Sequence, residues 1–180
     1  MKHLIALALV ALLGIGGIAG NQAFAASDKN AEPAEGFSQE IMLGEDEATW
    51  SPFAECDTLE DAKAVAGFDM TAPKEIAGYA DIHYAAMRND LIQVDYIADE
   101  DTCICIRKGI GTEDISGDWN EYSERQEVVI DGNTVTLQGN NGEVSLATWT
   151  DGTYAYSVGV YYGDNGMTVS AMEDIIGMIK

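Results

Sequence analysis

Between Tyr79 and Tyr162 apolar side chains recur at every second position, and the runs are broken by Asn89-Asp90, Asp131-Gly132-Asn133, Asn140-Asn141-Gly142 and Asp151-Gly152. Alternation of this kind gives a strand one buried face, and Asn/Asp-Gly pairs supply the positive φ angles of tight hairpins. A chain so punctuated is confined to antiparallel pairing between neighbouring strands. Ile82, Tyr84 and Ala86 alternate with His83, Ala85 and Met87, and Ile92, Val94 and Tyr96 with Gln93 and Asp95. After Asp99-Glu100-Asp101, the stretch from Thr102 to Arg107 places Ile104 and Ile106 on one side, Cys103 and Cys105 on the other. Strands are also expected from Glu127 to Ile130, Thr134 to Gln138 and Glu143 to Thr148. In the last strand Tyr154, Tyr156, Val158, Val160 and Tyr162 face one way.

A polar connection punctuated by glycine, Arg107 to Tyr122, separates the two groups of strands. Thr58-Leu59-Glu60-Asp61 is a capping sequence for a helix reaching about Ala66, with Leu59, Ala62, Val65 and Ala66 on one face and Gly67 suited to its end. Ser170-Ala171-Met172-Glu173 reads as a capping box ahead of an apolar stripe of Met172, Ile175, Ile176 and Ile179. The expected fold is α+β: an antiparallel sheet of about seven strands joined by hairpins, with an N-terminal and a C-terminal helix on one face. The opposite face is expected to be more exposed.

Residues 1–25 read as a signal peptide, with Lys2 and His3 before an apolar run and Ala23-Phe24-Ala25 as the cleavage site. An uncleaved anchor is the alternative. Residues 26–48, acidic and poor in large apolar side chains, form a flexible leader, and residues 49–180 a single α+β domain. Loss of Lys2 takes the formal charge from −22 to −23. So acidic a surface repels nucleic acid and anionic lipid. No second apolar run approaches the roughly twenty residues of a transmembrane helix. The chain is expected to be secreted, into the medium or the cell-envelope space.

Ser51-Pro52-Phe53, Thr58 to Ala62, Ala66-Gly67-Phe68, the Arg107-to-Tyr122 stretch and Leu146 to Gly152 leading into Tyr154 carry a resemblance over roughly Trp50 to Lys180. The chain resembles a family of small uncharacterised secreted proteins and lipoproteins of Gram-positive bacteria that carry a domain of unknown function, related to extracellular domains of anti-sigma-factor-like proteins. The resemblance implies an extracytoplasmic address and an α+β fold. Many members have a lipid-anchoring cysteine near the cleavage site, which this chain lacks.

No catalytic constellation is legible: His83 is the one histidine after the signal, and there is no G-x-S-x-G motif. No cofactor is expected. Cys56, Cys103, Cys105 and His83 have the ligand types of a zinc site but not its usual spacing. Glu113, Asp114, Asp118 and Asn120 are weak calcium candidates; the alternative is a solvated turn capped by Ser116 or Asp118, with Arg107 and Lys108 in local ion pairs to Glu113 and Asp114. Cys103 and Cys105 share a face two residues apart, so a disulfide is expected from Cys56 to one or other of them.

Two functions fit. One is a non-enzymatic binding or sensor-like module for an unknown extracellular or envelope partner, with Trp119, Tyr122, Trp149 and Tyr161 as contact candidates. The other is a carrier of an apolar ligand or lipid between sheet and helices, lined by Met70, Met87, Met172 and Met178.

Overall fold

The computed structural model describes residues 51–100, 102–161 and 166–180, all within the unit Glu47–Lys180. The expected signal peptide, the leader and Tyr162 lie outside the described residues. A three-residue strand, β1 (Ala54–Cys56), precedes helix α1 (Leu59–Ala66). Thr58 caps that helix by accepting the Asp61 N–H, and Gly67 closes it at φ 81°, its N–H reaching the Lys63 carbonyl.

Strands β2 (Asp81–Met87), β3 (Leu91–Asp99) and β4 (Thr102–Ile110) form one meander with β1. Strands β5 (Glu124–Ile130), β6 (Asn133–Asn140), β7 (Glu143–Thr150) and β8 (Tyr154–Tyr161) form a second. The β5–β6 and β6–β7 turns are Asp131-Gly132 and Asn141-Gly142, all four residues at positive φ, the backbone that matches the twist of a tight hairpin. The meanders meet where β4 pairs β8, giving a single antiparallel sheet in the order β1-β2-β3-β4-β8-β7-β6-β5.

One face carries the main core. Tyr96, Ile104, Ile106, Val94, Leu137 and Val158 are buried there with Ala62 and Ala66 of α1 and with Met172, Ile175 and Ile176 of helix α2 (Val169–Ile176). Backbone hydrogen bonds between Thr71 and Lys180 tie the segment after α1 to the residues after α2. Among the described residues no helix is long and apolar enough to cross a membrane.

Three expectations change. The sheet has eight strands, because β1 is too short to show a period, and α1 therefore follows a strand instead of opening the fold. The cap of α2 is Thr168, not Ser170: its side chain accepts the Ala171 N–H at 3.3 Å and its carbonyl the Met172 N–H. The third concerns the cysteines, all of which are free. Cys56 lies opposite Tyr84, whose partner Val94 belongs to the core face, whereas Cys105 lies opposite Asp95 and Gly159 on the other. Three strand spacings of roughly 4.8 Å separate β1 from β4, about 14 Å, far beyond the ~6.8 Å a disulfide spans. Alkylation of the denatured, unreduced monomer should label all three cysteines; a single labelled thiol per chain would contradict this arrangement.

Candidate functional site

Successive residues of a strand point to opposite faces, so Arg107 and Lys108 on β4 leave the sheet in opposite directions. Arg107 lies in a cross-strand row with Gln93 and Ser157, both buried on the face away from the helices. Its Nε donates to Gln93 Oε1 at 2.9 Å, and Gln93 Nε2 donates to Asp95 Oδ2 at 2.6 Å. Its Nη1 donates to the carbonyls of Ile115 (3.1 Å) and Ser116 (2.5 Å). The connection from Gly111 to Ser123 is thereby drawn across this face. It leaves beside the start of β8, where Gly111 N–H donates to Thr153 O, and ends where Ser123 donates to Asn140 Oδ1.

Ser116 is the fixed point of the loop. Its carbonyl also accepts the Tyr161 hydroxyl at 3.1 Å, its N–H donates to Asp114 Oδ1, and its Oγ accepts the Asp118 N–H. Two glycines permit the fit. A Cβ on Gly117, at φ 65°, would sit 2.7 Å from Arg107 Nη1, and one on Gly159 would strike the Tyr161 ring at 2.5 Å. Burial first, and then neighbours including Cys105, push the Tyr161 hydroxyl above its ordinary pKa. Tyr122 is pushed up to about 12 by burial and by its 2.6 Å hydrogen bond to Asp118. The face expected to be more exposed is thus covered by a loop.

The contact candidates separate. Trp119 stands out from this loop with 88% of its surface exposed. Tyr122 and Tyr161 are half-buried, with their hydroxyls engaged beneath it. Trp149 is buried on the opposite face, stacked on Tyr156 with ring centroids 5.0 Å apart. The calcium candidates are not gathered into a site: Asp114 and Asp118 each accept a backbone N–H two residues on, as the turn reading expects. Among the described residues no group of three or more His, Cys, Asp and Glu side chains is placed to hold a metal ion. His83 is exposed on β2, across from Asp95 and on the face away from Cys56, so the zinc set is not assembled.

The ion pairs expected of Arg107 and Lys108 do not form. Among the described residues the salt bridges are Lys63–Glu60 and Lys180–Asp131. Lys108 is buried, 7% exposed, on the helix side. Its Nζ donates to the Asp69 carbonyl at 2.7 Å and lies 4.5 Å from the Tyr154 ring centroid, 5.4 Å from Tyr156 and 5.9 Å from Phe68. It lines a cavity of about 360 Å³ between the start of β8, the β5–β6 turn and the residues ending α2. Nearby Asp151 accepts the N–H groups of Thr153 and Tyr154 and the Tyr156 hydroxyl. Burial alone would raise its pKa, but these hydrogen bonds and the Lys108 charge together hold it below the usual value.

Sequence reasoning missed this cavity, although a signal was present: continued by twos, the register of Ile104 and Ile106 reaches Lys108. The methionines proposed to line a carrier's pocket are not among its walls. Met70 and Met172 fill the core, and Met178 is exposed. Burial raises all three thiols, Cys103 to about 12, so they stay protonated near neutral pH. No family model, curated protein or solved structure matches the chain.

Arg107→Ala leaves Gln93 Oε1 and the Ile115 carbonyl without their donor and the Ser116 carbonyl with the Tyr161 hydroxyl alone, and should cost about 3 kcal/mol in denaturant unfolding. Arg107→Lys should recover little of it, since one ammonium cannot span the same three acceptors. Lys108 gives a pH dependence of known sign. Burial lowers its pKa against the opposing pull of Asp151 and Asp69, so the unfolded chain binds the proton more tightly than the folded one. Its contribution to stability is largest above the unfolded value of about 10.4 and is lost as pH falls through the folded value. Compared with Lys108→Met, the wild type should therefore gain stability as pH rises from about 7 toward the unfolded lysine value of about 10.4; a constant difference would contradict a lowered pKa.

Proposed function

We propose that this chain is a non-enzymatic binding module of the extracellular or envelope space, and that it grips a protein partner through the Gly111–Ser123 loop. The observation that carries the reading is Trp119, 88% exposed on a loop whose base is fastened by Arg107 and Ser116. A large side chain held in water by a fixed loop is an anchor already ordered for binding, so little entropy is lost when it docks.

The loop also supplies the partner's chemistry. Glu113, Asp114, Asp118 and Glu121 flank Trp119 in the sequence of the loop, and the stretch holds no lysine or arginine. The complementary surface is an apolar pocket rimmed by lysine and arginine, found faster at low salt than at high. An extracytoplasmic address is supported by the signal-like first 25 residues and by the resemblance to small secreted proteins of Gram-positive bacteria. Protonated thiols and an exposed, isolated His83 support a role without nucleophilic chemistry.

The test is capture from an envelope extract of the producing cell, with wild type and Trp119→Ala as baits. The variant should keep its stability within about 0.5 kcal/mol, because the ring contributes almost no burial. It should lose a partner that wild type retains at low salt and releases at high salt. Equal capture by both baits would remove the loop as the contact surface.

A further inference from the structure

The cavity beside Lys108 lies on the helix face, away from the Trp119 loop, and has a chemistry of its own. Lys108 is a buried ammonium with one carbonyl partner, three ring faces and, among the described residues, no carboxylate within ion-pair distance. An ammonium has three N–H groups, and one kept from water favours a negative partner strongly. Asp151 lines the same cavity and acts on Lys108 through space, but it does not come within ion-pair distance. Asp151 is directed by two backbone N–H groups and the Tyr156 hydroxyl, and Asp131 is taken by Lys180 at 2.5 Å.

We infer that this cavity is a binding site for a small zwitterion with an apolar side chain, of which an apolar α-amino acid is the simplest. The walls exclude the alternatives by charge. A simple anion drawn to Lys108 would meet the carboxylates of Asp131 and Asp151, and a simple cation drawn to those would meet Lys108 and Lys180. A molecule carrying both charges satisfies both: its carboxylate takes the open donors of Lys108, and its ammonium faces Asp151, which its hydrogen bonds keep ionised. Besides the charged groups, the cavity is lined by Ile130, Ile176 and Ile179 and by the stacked rings of Trp149 and Tyr156, which suit an apolar side chain. At about 360 Å³ the space is at the small end of ligand sites, suited to a single amino acid and not to a lipid.

The experiment titrates L-leucine and L-phenylalanine into the protein purified from its producing cell, followed by calorimetry and by backbone amide shifts. Saturable binding is expected, with the shift changes centred on residues 131–133, 151–154 and 176–180. N-acetyl-leucine lacks the ammonium and leucinamide the carboxylate, so each should bind at least about tenfold more weakly. Lys108→Met, close to lysine in shape, should lose binding by a similar factor, while Trp119→Ala should bind as wild type does. No saturable binding up to about 10 mM, beyond even a millimolar site, overturns the proposal. So does equal binding of N-acetyl-leucine or leucinamide, or a shift map centred elsewhere. The analogue series and the map use wild-type protein, so they decide the matter even if Lys108→Met fails to fold.

Discussion

A strand cannot place two consecutive side chains on the same face, and in β4 those side chains are Arg107 and Lys108. Because β4 lies inside the sheet, with β3 on one side and β8 on the other, each cation is delivered to the middle of a face and not to an edge. A cation there must find acceptors. On one face Arg107 takes them from a loop, which is thereby held down; on the other Lys108 takes a carbonyl and three aromatic rings, which leaves a cavity beside it. The covered face and the hollow one are two answers to one problem of charge burial.

The layer under the loop is polar in a way the helix side is not. Gln93, Asp95, Arg107, Ser116 and Tyr161 form a connected set of hydrogen bonds, and no buried side-chain nitrogen or oxygen among the described residues lacks a partner. Such a set adds less stability than apolar packing would, but it permits few alternative arrangements. It gives a loop without secondary structure one conformation. Buried Leu146 and Ala155, with Cys105, supply a thin apolar floor beneath it.

Much of the sheet was legible because its information is local. The turns at Asn89-Asp90, Asp131-Gly132 and Asn141-Gly142 are written in single residue pairs, and the alternation of Tyr156, Val158 and Val160 is visible without any partner strand. So was the Thr58 cap. What failed was non-local. Nothing near Cys56 says that β1 pairs with β2 and so lies three strand spacings from β4, which is why a disulfide from Cys56 to Cys103 or Cys105 is not made. The cap of α2 was displaced because Ser170 and Thr168 both have the side chain for the role, and tertiary position decides between them. Of the site residues, Trp119 was found as an aromatic in a polar loop. Trp149, named as a contact candidate, is buried, and that burial depends on stacking against Tyr156 of the next strand, which no local pattern shows. By sequence Lys108 falls in the polar connection that begins at Arg107, whereas β4 runs three residues further, to Ile110.

The seam between β4 and β8 also sets the order in which the molecule can be completed. Strands β2 to β4 and β5 to β8 each close through local connections, but residues 102–110 must wait for residues 154–161. A chain made from its N-terminus therefore passes through a stage in which β4 is an open border, its backbone unpaired and Ile104 and Ile106 uncovered by their final neighbours. Arg107 and Lys108 stand on that border. Before they fasten a loop or line a cavity, two adjacent positive charges discourage another copy of the strand from pairing there. The same two side chains that furnish both faces of the finished sheet act as gatekeepers of the unfinished one.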